Sequence, residues 1–289
     1  MSLTAKLNLV LFAVFSLGLA VTGFLSYTIL QSNARNEVVE RAGLMMESAL
    51  AVRGYTIDEI RPLLADKMRK EFLPQTVPAY AATQSFNKMR EKHPDYAYKE
   101  ATLNPTNPQN RPVAWEEDII KEFRKHADHG EIIGIRPTPT GDSLYLARPI
   151  QIKNQSCLIC HSTVDVAPKT MLARYGNANG FGWKLNEVVG AQIVSVPMSV
   201  PFEVARQTFA TFMVSLFMIF AALIVILNLM LRAIVINPVT RMSQIADQVS
   251  KGDLEAAELS ETGRDEISVL AASFNRMRRS LVKAMKMLE

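Results

Sequence analysis

The sequence predicts an α+β protein: an antiparallel sheet with flanking helices, inserted between two transmembrane helices and followed by a C-terminal helical coiled coil. Three observations predict it. Two long apolar runs carry no charge, the segment between them contains alternating strand patterns, and the tail spaces its apolar residues by three and four.

Taken in order, residues 1–6 form a short cytoplasmic N-terminus. From Leu7 to Leu30, "LNLVLFAVFSLGLAVTGFLSYTIL" is uncharged and long enough at helical rise to cross a hydrocarbon core. A cleaved signal peptide is the competing reading, since Lys6 precedes the run. The run is longer than the usual signal core, however, and no A-x-A site follows it. Residues 31–206 are polar enough to make one soluble domain, and "QTFATFMVSLFMIFAALIVILNLML", Gln207 to Leu231, is a second span bracketed by Arg206 and Arg232. Lys6, Arg232 and Arg241 weakly favour both chain ends on the positive, cytoplasmic side, an orientation that charge alone leaves open.

Inside the domain, a helix is expected from about Gln31 to Ile60, stopped by Pro62. "LNPTNPQNRP" is a Pro- and Asn-rich loop whose length suggests a lid. "KEFRKHADHGE" ends an amphipathic helix with Ile119, Ile120 and Phe123 on its buried face and Gly130 as the stop. In "GIRPTPTGDSLYLARPIQI", Leu144, Leu146, Ile150 and Ile152 alternate after a Gly141-Asp142 turn, as in a strand leaving a hairpin. Val188 to Met198 is a further strand, feeding toward the second apolar run.

The chain has 289 residues and a formal net charge of +4, with 32 Lys and Arg scattered rather than gathered into a stripe, which argues against a nucleic-acid partner. Its 2 cysteines both lie in "QSCLICHS". C-x-x-C-H is the attachment signature of c-type haem: two thiols add to the vinyl groups of one porphyrin, and the adjacent imidazole, His161, is held against the iron as proximal ligand. The expected cofactor is one haem c on Cys157 and Cys160. A zinc site, a redox dithiol and a structural disulfide are the alternatives. Zinc lacks a second paired-cysteine knuckle in this chain, and a bridge across two intervening residues is poorly favoured geometrically. Bacteria attach such haem on the outer face of the inner membrane, so residues 31–206 are expected to be periplasmic.

The sixth ligand is unassigned. His126 and His129 read as solvated residues at a helix end, His93 as a surface residue before Pro94, and Met45 and Met46 as core contacts; an open or water-occupied position is a further option.

The region from Ala42 to Met198 resembles the c-type-haem, PAS-like periplasmic sensor family. The resemblance rests on "VRGYTIDEIRPLL", "FLPQTVPAYAA", "HPDYAYKEATLNPTNPQNRPVAWEEDII", "CLICHS" and "YGNANGFGWKLNEVVGAQIVSVPM". It implies a PAS-like antiparallel sheet flanked by helices, with haem on one side, and Arg53 and Tyr55 as distal-side candidates. Arg148 and Arg136 are candidates to pair with the propionates, because a guanidinium matches a carboxylate with two donors. Trp115, Phe181 and Trp183 are candidates to pack on the porphyrin.

In the tail, residues 232–289, Ile267, Leu270, Phe274, Met277, Leu281, Ala284 and Leu288 make a coiled-coil seam. Val235, Pro238, Met242, Ile245 and Val249 repeat the spacing before Gly252, and Leu254 and Leu259 are the apolar points of the connector. Two heptad helices, a proline inside the first, a glycine after it and "DEIS" opening the second resemble a HAMP domain. A generic amphipathic hairpin is the plainer reading. The resemblance implies a homodimer closed through a parallel four-helix bundle.

The expected function is a membrane-bound c-type haem sensor of redox state or a diatomic gas, signalling through the second span to the HAMP domain. With no kinase, cyclase or methyl-accepting region before Glu289, the expected output is a separate cytoplasmic protein. The alternative is a membrane-anchored electron-transfer cytochrome that serves a redox partner within a larger complex. Enzymatic haem chemistry lacks a distal acid-base pair in this sequence.

Overall fold

The structure is a computed structural model that describes residues 1–126, 128–253, 257–260 and 263–287. The expected connector residue Leu254 and the last seam residue Leu288 lie outside the described residues. The chain divides into two compact units, 26–209 and the combination of 1–25 with 210–289.

The unit of residues 26–209 is built on a four-stranded antiparallel sheet with strand order β1-β4-β3-β2. The strands are β1 (Ala97–Thr102), β2 (Ile132–Thr138), β3 (Gly141–Gln151) and β4 (Val188–Pro197). The expected strands are present, and the hairpin turn is corrected by two residues. Thr138 pairs with Gly141, so Pro139 and Thr140 make the turn, and Gly141 opens β3 at φ +114°, a left-handed value that glycine adopts without a Cβ penalty.

Side chains alternate across the sheet, and helices cover both faces. On one face Tyr98, Leu144, Leu146, Val194 and Val196 meet Val38, Ala42, Met46 and Ala49 of α1 (Leu3–Tyr55) and Ala82 and Phe86 of α2 (Pro78–Arg90). The three- and four-residue spacing of the α1 residues makes one helical stripe. Alanines within that stripe let the helix lie close on the sheet. On the other face Ala101, Ala147, Ala191 and Ile193 meet Ile119, Ile120 and Phe123 of α3 (Ala114–Lys125), the buried trio expected from sequence. The long helix does not stop at Pro62. After α1 it widens into a π turn at Thr56–Ile60, and Pro62 sits in the first turn of the short helix Arg61–Leu63, where its missing N–H is no loss. A short helix, α4 (Lys169–Tyr175), follows the cysteine segment, and α5 (Ser199–Leu231) follows β4 directly.

Two helical stretches, Thr4–Leu63 and Ser199–Ser250, contain segments long and apolar enough to cross a membrane. Within the unit that holds residues 1–25 and 210–289, Phe15 stacks on Phe220 at 4.8 Å, and the Asn228 side-chain amide donates to Asn8 Oδ1 at 2.8 Å. Leu9, Phe12, Leu17, Phe217, Met218 and Leu229 are exposed. In water so large an apolar surface would aggregate, whereas lipid tails would cover it.

The tail forms α6 (Asn237–Ser250) and α7 (Glu266–Lys286). Met242, Ile245, Leu259 and Ala271 are buried together, with Val249, Ile267 and Phe274 packed against them. Gly252 ends the first helix segment at φ +97°, and Asp265 caps the second by accepting from the Ser268 N–H at 2.8 Å. Asn275, 1% exposed, donates to the Leu259 carbonyl and accepts from the Leu259 N–H, which fastens the connector to α7.

Candidate haem-attachment site

The cysteine segment leaves β3 through Ile152 and turns at once into helix. Asn154 accepts from the Ser156 N–H at 2.9 Å, starting a 3-10 turn at Gln155–Cys157 that runs into the one-turn helix Leu158–His161. Cys157 and Cys160, three apart on a helical turn, therefore share a face. Both thiols are free and half-buried, and burial pushes the Cys160 thiol up while the Arg61 guanidinium pulls it down.

His161 is held in one orientation. Its Nδ1 lies 2.8 Å from the Gly180 carbonyl oxygen and 3.4 Å from Thr106 Oγ1. A carbonyl only accepts, so Nδ1 carries the proton, and the lone pair is left on Nε2, the form that ligates a metal. The ring lies flat on Trp183, with centroids 3.9 Å apart and 14° between planes. Burial lowers the His161 pKa against the raising effect of the Gly180 carbonyl, which keeps the imidazole neutral.

The loop that supplies Gly180 and Trp183 is itself pinned. The Trp183 N–H donates to the His161 carbonyl at 3.1 Å, and the Gly182 N–H to the Ser162 carbonyl at 2.7 Å. Asn104 grips the same loop with both ends of its amide, donating to the Phe181 carbonyl and accepting from the Gly180 N–H, each at 3.1 Å. Gly180 sits at φ +88°, and a Cβ there would overlap Thr106. The Pro- and Asn-rich segment thus braces the histidine loop through Asn104 and Thr106.

Arg53, at the end of α1, donates to both carboxylate oxygens of Glu100 on β1, at 2.6 and 2.5 Å. Tyr98 donates to Glu100 at 2.7 Å, and Gln192 of β4 donates to the Tyr98 oxygen at 3.1 Å. Burial alone would lower the Arg53 pKa, but Glu100 and, more weakly, the Tyr98 and Cys157 groups raise it, so the guanidinium stays charged. Arg53 and Arg61 thus lie within electrostatic range of the Cys157 and Cys160 sulfurs respectively. Arg61 makes no ion pair among the described residues.

The structure brings together Cys157, Cys160, His161 and Trp183, with the Phe181 carbonyl in the same bonded loop and Arg53 close by in charge. Tyr55 is 60% exposed beside Arg53 in sequence. The other two arginines are engaged elsewhere. Arg148 pairs with Glu47 at 2.6 Å and Glu131 at 2.9 Å. Arg136 lies over Trp115 at 4.5 Å, and Trp115 also touches Tyr145 at 5.4 Å, on the α3 face of the sheet, opposite the face that carries Glu100. Among the sixth-ligand candidates, Met46 is fully buried in the core under α1, Met45 is half-buried, and His93, His126 and His129 are exposed. Asn104, Thr106, Gly180 and Arg61 carried no local sequence signal for this site, because their contacts span loops or successive helices.

The residues fit the expected prosthetic group. Two free thiols share one helical face beside an imidazole whose Nε2 is available. Between the cysteines Ile159 is apolar and exposed, the kind of surface a porphyrin plane covers.

Comparison with curated proteins finds no match. Among solved structures, the cyanobacterial heme-protein Tll0287 is similar to this chain at 14% identity and a TM-score of 0.43, over 56% of this chain and 95% of that one. A HAMP domain matches residues 223–283. The Tll0287 family model, described as Tll0287-like, matches residues 31–197, more than half of the chain, and the protein belongs to that Tll0287-like family.

Proposed function

We propose that the protein is a membrane-bound c-type haem sensor that reads redox state or a diatomic gas outside the inner membrane and passes the result to its HAMP domain. A Tll0287-like domain followed by a HAMP domain is the composition of a membrane signalling protein. The observation that carries the haem reading is His161: its Nδ1 is satisfied by Gly180, its face is covered by Trp183, and its Nε2 is left to bind beside two free thiols.

Cys157 and Cys160 would hold the haem by thioether bonds, His161 would ligate its iron, and Arg61 and Arg53 would face its carboxylates. When bound, the group supplies an iron whose charge or coordination changes with the stimulus. The residues of the chain provide two ways for that change to leave the site. Arg53 ends the helix that begins in the first apolar run, and Gln192 lies on the strand that continues into the second. Both belong to one hydrogen-bonded set through Glu100 and Tyr98, so a shift in the charge facing Arg53 acts on α1, β1 and β4 together. For a signal to result, the two states of the site must differ in how strongly they favour one packing of these elements, by a few kcal/mol. In this reading the chain divides into spans at 7–30 and 207–231, a periplasmic domain at 31–206, and cytoplasmic ends at 1–6 and 232–289. The HAMP segment pairs with a second copy, and a separate output protein reads it.

The test is an optical spectrum of the purified full-length protein, oxidised, reduced, and reduced under carbon monoxide. A sensor changes its iron ligation on reduction or on exposure to the gas. A spectrum of two fixed protein ligands in every state would instead establish the electron-transfer cytochrome, and a colourless, correctly matured protein would end both readings.

A further inference from the structure

Among the described residues, and apart from the cysteine segment, one group of metal-ligating side chains gathers at the C-terminal end of α3. The ligand atoms of His126, Asp128 and His129 lie within 4.8 Å of one another. The backbone prepares this grouping. The His129 N–H donates to the His126 carbonyl at 3.1 Å, closing a turn that lays the two imidazoles against each other, centroids 5.0 Å apart and 20° between planes. Glu122, one helical turn before His126, brings Oε1 to 3.6 Å from His126 Nε2, within reach of the group. Of the two cations in the last turn of the helix, Arg124 and Lys125, Arg124 is committed elsewhere, to the Val188 carbonyl at 2.8 Å and to Glu187 at 3.2 Å. The C-terminal end of the helix adds negative potential.

Two imidazoles and two carboxylates, all solvent-accessible and joined within one helical turn and one tight turn, are the donor set of a borderline divalent cation. Calcium and magnesium prefer all-oxygen shells, whereas imidazole selects zinc, copper or nickel. We propose that His126, Asp128 and His129, with Glu122 completing the shell, form a surface site for a divalent transition-metal ion of the zinc class, separate from the haem-attachment residues. Four donors of these types match the tetrahedral preference of zinc, and small rotations of exposed side chains bring them to bonding distance.

The experiment is calorimetric titration of zinc chloride into the detergent-solubilised, haem-loaded full-length protein, whose cysteine thiols are consumed by the cofactor. Any residual thiol is alkylated beforehand. The expected result is one zinc per chain with micromolar affinity, weakened roughly ten-fold or more in a protein carrying both His126→Ala and His129→Ala. His93→Ala serves as the control and should bind as the parent does. An unchanged haem spectrum in the double variant keeps the zinc reading apart from axial ligation by either histidine. No stoichiometric binding by the parent, equal binding by the double variant, or a haem spectrum altered by the double variant would each overturn the proposal.

Discussion

Arg53 and Glu100 meet through two contacts from a single guanidinium nitrogen, Nη1, to both carboxylate oxygens, joining the end of α1 to an edge strand of the sheet. Glu100 is 3% exposed and Tyr98 lies against it, so losing Arg53 leaves a carboxylate where water scarcely reaches, while losing Glu100 leaves a guanidinium with partial access to water. Glu100→Ala should therefore destabilise the protein by about 3 kcal/mol, less than a fully buried pair because a quarter of the Arg53 side chain remains exposed. Arg53→Met combined with Glu100→Leu should recover most of that loss. A thermal-denaturation double-mutant cycle measures it, and additive losses would mean that the two residues do not act as a pair.

The same pair sets charge beside the cysteines. Glu100→Gln keeps an acceptor for Arg53 but removes its compensating negative charge. With haem bound, the reduced iron should become easier to form, raising the midpoint potential by some tens of millivolts, or on the order of 1 kcal/mol. Spectroelectrochemical titration reads the shift, and a fall in potential would contradict the assigned role.

The proposed covalent attachment requires both thiols. Cys157→Ser or Cys160→Ser should weaken haem staining of the band on a denaturing gel, and the double variant should abolish it. Undiminished staining in the double variant would rule out the thioether reading. Gly180→Ala should leave the staining in place, since the thiols are intact. The added Cβ meets Thr106 at a left-handed backbone position and moves the carbonyl that orients His161, so the visible spectrum should split or shift.

In the tail, Phe274 packs inside the single chain, whereas Leu270, Met277 and Leu281 are exposed on α7. Met277→Glu is thus the cleaner test of the proposed dimer, because it leaves the intrachain cluster intact. Cysteine crosslinking through α7 should drop sharply in that variant while helical content stays the same. Full retention of crosslinks would count against a shared bundle.

Asp265 titrates below the ordinary aspartate value of 3.8, chiefly because its carboxylate accepts from the Ser268 N–H. A depressed folded value means that the cap contributes above the unfolded value and is lost as pH falls through the folded one. The Ser268 amide resonance of labelled full-length protein should follow a titration centred below 3.8. Asp265→Asn, which keeps the acceptor and cannot ionise, should abolish that titration.

Features whose cause is local could be read from sequence. Leu144 and Leu146 alternate in β3, Ile119, Ile120 and Phe123 share a helical face, and the two cysteines stand beside their histidine. β1 escaped because Lys99 and Glu100 interrupt its apolar pattern. Both are accommodated by partners far along the chain, Glu116 at 2.6 Å and Arg53. Asn104 escaped for a similar reason: its partners at Gly180 and Phe181 are reached only once the chain has folded back. The choice among arginines followed residue type alone, and residue type cannot say that Arg148 is already held by Glu47 and Glu131.

The placement of β4 bears on how force can travel. It is the last strand in the chain order yet an inner one in the sheet, laddered to β1 on one side and to β3 on the other, with the helix from Ser199 beginning two residues beyond its end. Sliding it lengthwise would tear two rows of backbone bonds at once. A pull on the following helix is therefore borne by the slab of strands as a body, and tilting or rotation of that slab costs far less than slippage of one strand within it.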